Sequence, residues 1–302
     1  MTISIVVITR NRSQILSNCI ICLTNQTVKA DRIIIIDSSD DQDSKNICSQ
    51  FNSIEYYYLK SDLGDLPKMR NFALKMIETD ITAFIDDDGF ADQNWIKEIK
   101  KTYNTNSKIG GVGGRIIQGN KISLENSKNN ICGLYNFYKW SYGSFNVVSN
   151  SNLEVKHFQG TNMTFKTHLL RKINGFDENL CHGYASFEDT DICLSILHTN
   201  HKLVYNPNVI VTHGLYPREN GLPRDLSSNL FFTFSYARNG VYVLLKHHGI
   251  NLKTILSLII LVPLLNLKRI VIRKTINFHS IRVYFAFLFG MLSGYKIFKK
   301  NK

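Results

Sequence analysis

The sequence of 302 residues has only six cysteines, and their spacing gives no metal or disulfide framework. Cys19 and Cys22 alone have Cys-x-x-Cys spacing, and no second pair completes a zinc site. Both lie in a segment with helical spacing, so buried free thiols are expected. The first apolar segment, residues 3–8, is short and lacks the basic leader of a signal peptide. A reducing, cytoplasmic setting is therefore expected.

Acidic residues are absent from the last quarter of the chain. Residues 226–302 contain twelve Lys and Arg and no Asp or Glu, whereas the preceding residues contain 24 of each sign. The net charge of +12 therefore belongs to this tail, and the body is neutral. Such asymmetry suggests an anionic partner, either a membrane surface or a nucleic acid.

The tail also lacks an uncharged run of the roughly 20 residues that cross a bilayer. Its longest runs, 254–267 and 283–295, are interrupted by Pro263 and by Gly290 and Gly294, and Lys and Arg flank both. Apolar helices bordered by basic residues favour a segment that lies in an anionic membrane interface, rather than one that binds nucleic acid. A helical subdomain packed on the sheet and a short hairpin dipping into the bilayer are the alternatives.

Apolar runs with strand character alternate with segments of helical spacing over the first hundred residues. Strands are predicted at 3–9, 32–37, 54–59 and 81–85, and helices at 13–26, 44–51, 67–77 and 92–103, the last capped by Asp92. This alternation predicts an α/β fold with a doubly wound, mainly parallel sheet.

The alternation fades after residue 104. Four glycines at 110, 111, 113 and 114 indicate a bend or a close backbone approach. Later segments predict a helix ending near residue 173, a helix over 187–197, and two short strands, 202–205 and 209–212.

Three consecutive aspartates, Asp86, Asp87 and Asp88, follow the strand predicted at 81–85. Ligands of open α/β sheets bind beyond the carboxyl ends of the strands. Like charges packed this closely repel, and a cation relieves the repulsion. Hard divalent ions accept carboxylate oxygens and leave room for substrate phosphates. We therefore expect a metal-bound nucleotide diphosphate here, with a solvated acidic turn as the alternative.

Seven short motifs, in this order, resemble those of the family 2 glycosyltransferases. They are Ile-Thr-Arg-Asn-Arg at 8–12, Asp37 after a strand, Arg70-Asn71, the aspartates at 86–88, Gly160-Thr161-Asn162, Gly175-Phe176-Asp177-Glu178 and Glu188-Asp189-Thr190-Asp191. The match covers about residues 3–213. The resemblance implies the GT-A fold, with a nucleotide-sugar-binding half at 1–115, an acceptor-binding and catalytic half at 116–225, and a helical, basic, apolar, membrane-associating region at 226–302.

The resemblance also implies a metal site. Asp88 would bind Mn²⁺ or Mg²⁺ directly, and Asp86 or Asp87 would support the donor ribose or the metal shell. His213 matches a histidine that closes on the metal in related enzymes. A loop histidine whose ring is satisfied by the backbone is the alternative for His213.

The acceptor proton needs a carboxylate base, and by resemblance this is Asp189. Glu188 is the reserve candidate, and Asp191, two residues on, should face away. A purely capping role at a helix N-terminus is the alternative for Asp189, and the two roles are compatible. Asn162 and Asp177 are also expected on the acceptor side.

The donor base is expected to contact Asp37, which by resemblance accepts the N3–H of uracil or thymine. Many relatives have two adjacent acids here, whereas this chain has Ser38 after Asp37. Thr9, Arg12 and Arg70 are expected on the donor side, where an arginine pairs with phosphate. A surface arginine is the alternative for Arg12.

Two missing motifs narrow the function that the resemblance implies. Neither Trp95 nor Trp140 follows an arginine, so the Gln-x-x-Arg-Trp stretch of processive synthases is absent. The loop at 9–12 has no glycine, which argues against a nucleotidyltransferase. The implied function is transfer of one sugar from a UDP- or dTDP-sugar to a hydroxyl of a lipid-linked glycan, in the synthesis of surface polysaccharide or glycoconjugate, on the cytoplasmic face of the membrane. A catalytically silent sugar-nucleotide-binding scaffold subunit is the alternative.

Overall fold

The computed structural model describes residues 1–62, 64–119, 131–136, 140–184, 186–214, 216, 229–262, 264 and 278–302. Within these ranges the strands are β1 Ile3–Thr9, β2 Arg32–Asp37, β3 Ile54–Tyr58, β4 Ile81–Asp86, β5 Gly89–Ala91, β6 Ile109–Gln118, β7 Leu134–Asn136, β8 Trp140–Tyr142, β9 Leu153–Val155, β10 Met163–Lys166 and β11 Lys202–His213. The α-helices are α1 Ser13–Thr24, α2 Asp43–Cys48, α3 Leu66–Leu74, α4 Trp95–Tyr103, α5 Thr167–Lys172, α6 Glu188–Leu197, α7 Leu230–His248, α8 Leu252–Leu256 and α9 Phe278–Lys300. A 3₁₀ turn spans Glu178–Leu180, and a π-helical turn, Ser257–Leu261, continues α8.

The main sheet is a mixed sheet in the order β3-β2-β1-β4-β10-β6-β11-β5, with β9 paired to β11. Strands β1 to β4 are mutually parallel, and β10 is antiparallel to both of its neighbours. This confirms the expected α/β class with a mainly parallel sheet.

Both faces of the sheet are buried, which explains its continuous apolar strands. In β1, Ile3, Ile5 and Val7 face a cluster with α1 and α4, whereas Val6 faces a cluster with α3, α5 and α6. Each such side chain contributes about 1.5–3 kcal/mol when fully buried. The central strands therefore form a rigid support for whatever lies at their ends.

The strand ends bring three predicted site residues to one edge of the sheet. Thr9 pairs in register with Asp37 across β1 and β2, and Ile8 pairs with Asp86 across β1 and β4. On the far side, β11 runs antiparallel to β5, so His213 lies opposite Gly89. The short strand β5, immediately after the aspartates, thereby links them to the end of β11.

The structure corrects two local predictions and decides a third between its two alternatives. The two short strands expected at 202–205 and 209–212 form one strand, β11, whose register against β6 shifts between Asn206 and Ile210. The glycine run lies inside β6, where a Cβ on Gly113 would overlap the Phe158 ring, so it marks a close approach rather than a bend. Asp92 accepts from the Asn94 amide at 2.9 Å and does not cap α4, whose N-cap position is Asn94.

The C-terminal helices pack on the body. Ala237 and Val241 of α7 share a buried cluster with Leu180, Phe187 and Leu194, and α9 packs along α7. Residues 279–300 of α9 are long and apolar enough to cross a membrane by length and composition, and 22% of an apolar 18-residue stretch within them is buried. Counting uncharged runs underestimated this length, because the helix continues through Arg282 and Lys296. All six thiols are free.

Candidate active site

The aspartates at the end of β4 and the histidine at the end of β11 form a candidate metal centre. Ligand atoms of Asp86, Asp88 and His213 all lie within 4.8 Å of one another, and we call these three residues the cation cluster because they could bind a cation. His213 Nε2 is 3.1 Å from Asp88 Oδ1 and 3.9 Å from Asp86 Oδ2. Carboxylate oxygens suit hard divalent ions such as Mg²⁺ and Mn²⁺, and an imidazole nitrogen is a common additional metal ligand. The donor set therefore fits a divalent ion, with His213 at the position that the sequence predicted.

The basic neighbours of Asp88 keep its carboxylate ionised. Burial raises the pKa of Asp88, but the hydrogen bond and charge of His213 and the charge of Arg12 outweigh it and hold the pKa well below its usual range. Burial lowers the pKa of His213, and Asp88 more than compensates, so the pKa is raised. The Asp88 carboxylate is thus ionised at neutral pH and available as a ligand.

Arg12 belongs to the site and is not a free surface arginine, since its side chain is only 11% exposed. Its Nη1 is 2.7 Å from Asp87 Oδ1, and its Nη2 is 2.7 Å from Asp88 Oδ2. Thr9 Oγ1 donates to the other oxygen of Asp87 at 2.9 Å. Burial raises the pKa of Asp87 to about 7 despite the opposing charge of Arg12. Asp87 is thus engaged by Arg12 and Thr9, while Asp86 and Asp88 belong to the cation cluster.

Asp37 ends β2 at the same edge of the sheet and is completely buried. Its Oδ1 accepts from the amide and hydroxyl of Ser39 at 2.8 and 2.5 Å, and its Oδ2 accepts from the Tyr56 hydroxyl at 2.8 Å. Burial and the hydrogen bond to Asp37 raise the pKa of Tyr56. Sequence reasoning missed Tyr56 and Ser39, because the strand order that brings Tyr56 of β3 beside Asp37 of β2 was not predicted.

The predicted base lies at the first turn of α6. Asp189 Oδ2 accepts from the Gly160 amide at 3.2 Å, and Oδ1 accepts from the Thr190 amide at 2.7 Å. Burial raises the pKa of Asp189, against the charge of Arg70 and these amides. A carboxylate whose pKa is raised while it stays close to a cation is suited to accepting a proton.

One turn connects the two carboxylate sites. The Gly160 amide donates to Asp189. The hydroxyl of the next residue, Thr161, lies 3.0 Å from the position that a Cβ would occupy at Gly89. Gly89 directly follows Asp88. The Gly-Thr-Asn motif thus lies between the candidate metal ligands and the candidate base.

Arg70 lies with the candidate base. Its side chain is 2% exposed, its Nη1 is 3.7 Å from Glu188 Oε1, and its guanidinium stacks on Phe84 and Phe176 at 5.6 and 5.2 Å. A Cβ on Gly160 would lie 3.1 Å from Arg70 Nη2. The donor-side position expected for Arg70 stays a prediction, whereas its contacts in the structure are to the Glu188 side of the site.

Two predicted acceptor-side residues make internal contacts. Asn162, 1% exposed, accepts from Trp95 Nε1 at 2.9 Å and donates to the carbonyls of Arg115 and Val209 at 3.2 and 2.9 Å. It therefore ties α4 to β6 and β11. The Asp177 carboxylate accepts from groups on α7 described below. Their predicted contact with an acceptor stays untested.

The turn that presents the carboxylates is strained. Phe187, immediately before Glu188, has φ 67° and ψ 1°, a left-handed conformation that bulky residues rarely adopt. Such a conformation costs on the order of 1–3 kcal/mol and persists only where packing enforces it. No sequence pattern signalled this conformation at a phenylalanine.

Comparison with known proteins agrees with this geometry. A glucosyl-dolichyl phosphate glucuronosyltransferase from Haloferax volcanii is 22% identical over 228 residues, which cover 72% of this chain and 70% of that protein. Mannosyltransferase PcManGT from Pyrobaculum calidifontis, solved with GDP-Man and Mn²⁺, has a TM-score of 0.58 at 12% identity over 99% of this chain and 87% of its own.

A third similar structure is GalNAc-T7, solved with UDP, GalNAc and Mn²⁺, with a TM-score of 0.61 at 14% identity over 81% of this chain. This chain spans only 47% of the GalNAc-T7 chain. These likenesses show that the fold is of the GT-A type. A model of glycosyl transferase family 2 matches residues 4–173, which is more than half of the sequence. The chain therefore belongs to glycosyl transferase family 2.

Proposed function

We propose that the protein is a metal-dependent, inverting glycosyltransferase that moves one sugar from a UDP- or dTDP-sugar to a hydroxyl of a glycan acceptor. The main observation in support of this proposal is that two sites lie on opposite sides of the Gly160-Thr161 turn. On one side, Asp86, Asp88 and His213 form a cation cluster. On the other side lies the partly exposed but largely desolvated carboxylate of Asp189.

Each group has a defined part in the proposed reaction. Asp86, Asp88 and His213 would hold the divalent ion, which when bound supplies Lewis-acid stabilisation of the diphosphate leaving group. Arg12 keeps Asp88 ionised and orients Asp87 from within the body. Asp189 accepts the proton of the acceptor hydroxyl as that oxygen attacks the sugar carbon from the face opposite the diphosphate, which inverts the anomeric centre.

A catalytically silent, sugar-nucleotide-binding scaffold is the second candidate. A protein that only binds the donor needs the strand-end site but not a base. The presence of Asp189 with a raised pKa, beside Arg70, favours the enzyme. Slow, metal-dependent hydrolysis of a nucleotide sugar distinguishes the two candidates, because donor binding without hydrolysis or transfer under any metal would favour the scaffold.

The donor class is tested by thermal unfolding of the protein with a panel of nucleotide sugars, each with Mn²⁺, Mg²⁺ or EDTA. Ligand at 100 times its Kd stabilises the folded state by about 2.7 kcal/mol, which raises the Tm measurably. We expect UDP- or dTDP-sugars to raise the Tm in the presence of metal and not with EDTA. Stabilisation by purine sugar nucleotides alone would contradict the assignment of the donor.

We also propose that the C-terminal helices rest on an anionic membrane at its cytoplasmic face, beside lipid-linked acceptors. Phe285, Phe289 and Leu292 of α9 are 52%, 60% and 59% exposed, while the opposite face of this helix packs on α7. Leu252 and Ile259, in and just after α8, are each 71% exposed. This apolar surface lies within a chain segment that has basic residues and no acidic ones. Each basic residue near an anionic leaflet contributes about 1 kcal/mol.

The membrane proposal predicts that the wild-type protein sediments with liposomes containing anionic lipid, and that high salt weakens binding. Replacing Phe285, Phe289 and Leu292 together by serine should lower the bound fraction by at least about tenfold, because roughly 25 cal/mol is lost for each Å² of buried apolar surface. Ile21→Ser on α1, where the side chain is 43% exposed, is the matched control and should bind as the wild type. Equal sedimentation of wild type and triple variant would contradict the proposal.

A further inference from the structure

Helix α7 holds the turn that carries the candidate base. Asn239 is completely buried in α7, and its Nδ2 donates to the carbonyls of Ser186 and Leu180 at 3.1 and 3.3 Å. Ser186 is three residues before Asp189. Because a buried carbonyl needs a partner, these bonds fix the path of the backbone as it enters α6.

The same helix supports the strained residue of this turn. The ring of Phe187 lies 4.8 Å from the ring of Tyr236, centroid to centroid, and Phe187 is 5% exposed. This left-handed residue directly precedes Glu188 and Asp189, the first two residues of α6. A conformation of this kind is kept only by its surroundings, and α7 supplies that ring contact.

A third contact lies one turn further along α6. Lys246 Nζ is 2.9 Å from Asp191 Oδ2 and 2.7 Å from Asp177 Oδ2, and His247 Nε2 is 2.7 Å from Asp191 Oδ1. The Tyr242 hydroxyl also donates to Asp177 at 2.7 Å. Asp191 therefore faces α7, as expected for a residue that points away from the site. Lys246 joins it to Asp177, the N-cap residue of the 3₁₀ turn.

Helix α7 is itself held by α9, the helix with the exposed apolar face. Gly290 and Gly294 of α9 lie against the carbonyls of Phe234 and Arg238, where a Cβ would overlap the backbone. Paired small residues of this kind let two helices approach closely. The body, α7 and α9 thus form one continuous packed unit, from the apolar surface to the base.

We propose that α7 is a positioning element for Asp189, with Lys246, Tyr236 and Asn239 as positioning residues for sugar transfer. The inference rests on the proposed function for the identity of the base, but the contacts themselves are independent of it. The C-terminal region is therefore part of the catalytic unit and not a separable membrane anchor. Displacing a catalytic group by about 1 Å costs on the order of a hundredfold in rate, so loosening this turn affects turnover more than donor binding.

The test uses the full chain with Lys246→Met, which keeps the length of the side chain but removes its charge. Hydrogen exchange of the amides at 186–191, followed by mass spectrometry, reports the position of the turn without requiring activity. We expect faster exchange in this segment, a transfer kcat lowered by about 10- to 100-fold, and a donor KM within about twofold of wild type. Lys246→Arg, which retains the charge, should show exchange protection and a kcat close to those of the wild type, unlike Lys246→Met.

Two further variants complete the experiment. Lys202→Met breaks the exposed ion pair with Glu154, which is 2.8 Å long, and should leave exchange at 186–191 and kcat unchanged. Tyr236→Leu removes the ring against Phe187 without changing a charge, and should reproduce the effect of Lys246→Met if that variant fails to fold. Unchanged exchange and kcat in folded Lys246→Met or Tyr236→Leu would overturn the positioning role.

The outcomes separate this inference from the proposed function. One outcome is faster exchange at 186–191 in the variants together with no transfer by the wild-type protein on any donor. This would reject the proposed function, but it would still show that α7 holds the turn in place. Normal exchange in the variants, with an active wild type, would reject the positioning role alone. A loss of kcat that Lys246→Arg does not restore would also reject it.

Discussion

Replacing Asp189 by asparagine is expected to lower turnover by at least about a hundredfold while leaving donor affinity near that of the wild type. Asparagine retains the shape of the side chain and one of the two oxygens that accept from the Gly160 and Thr190 amides. It cannot accept the acceptor proton. Steady-state transfer kinetics and donor titration calorimetry together measure the split between kcat and binding.

Stability gives this prediction an independent control. Because burial raises the pKa of Asp189 in the folded protein, its ionised form costs stability at every pH above the unfolded value of about 3.9. Removing the charge removes this cost, while one of the two amides loses its acceptor, so we expect the Tm at pH 7 to stay close to that of the wild type. A variant that is inactive because it is unfolded would instead show a lowered Tm.

Glu188→Gln is the matched variant for the choice of base. Glu188 lies 3.7 Å from Arg70, and it is 8% exposed. We expect a smaller loss of turnover from this substitution than from Asp189→Asn. If turnover survives in Asp189→Asn and Glu188→Gln abolishes it, Glu188 is the base and the assignment is wrong.

The pH profile provides a further check on the same residue. The protonated carboxyl cannot accept a proton, so the transfer rate falls as the pH falls through the folded pKa of Asp189. Since that pKa is raised, the acid limb should lie above the ordinary range of an aspartate. An acid limb at or below that ordinary range would argue against Asp189.

Replacing Asp88 by alanine should abolish most turnover and remove the effect of metal on donor binding. Asp88 contributes the most buried carboxylate of the cation cluster, at 5% exposure, and His213 lies 3.1 Å from it. Without it, Asp86 and His213 alone hold the ion, and the diphosphate loses its clamp. Donor titrations in Mn²⁺ and in EDTA, on wild type and variant, measure this dependence.

The control for Asp88→Ala is Asp41→Ala, which removes an exposed aspartate outside the cluster. That variant should keep both turnover and the metal dependence of donor binding. Arg12 loses one of its two partners in Asp88→Ala, so a lowered Tm is also expected. Full activity with unchanged metal dependence in Asp88→Ala would exclude the metal centre proposed here.

The sequence largely predicted which residues lie at the donor-side edge of the sheet, because their positions depend only on where the parallel strands end. Continuous apolar runs such as 3–9 and 32–37 form buried parallel strands, and the residues that end them must meet at one edge. Asp37, Asp86 and Asp88 therefore occupy the expected edge, and His213 reaches it because β11 runs to that end of the sheet.

The ion pairs and hydrogen bonds that these residues form could not be predicted from the pattern of apolar and polar residues in the sequence. Arg12 pairs with aspartates 75 and 76 residues away, and Tyr56 with Asp37 on a neighbouring strand. Such pairs depend on rotamers and depth of burial, which periodicity does not encode. Arg70 is an example: its donor-side contact stays a prediction, and its motif gave no indication of the contact with Glu188.

The C-terminal region shows a different limit. Its composition predicted apolar helices with a basic excess, and this prediction holds for α7 to α9. Composition does not reveal which face packs. Two of the buried polar residues of α7, Arg238 and Asn239, donate to the carbonyls of Asn179 and Ser186. These tertiary contacts make α7 part of the body, where charge and hydropathy alone suggested a separate tail.

Metal-dependent catalysis with Asp189 as the base can be measured by ³¹P NMR of UDP- and dTDP-sugars incubated with the wild-type protein. We expect release of the nucleoside diphosphate with Mn²⁺, none with EDTA, and release reduced by at least about a hundredfold in Asp189→Asn. Release that is equal in EDTA, or equal in Asp189→Asn, would contradict the proposed mechanism.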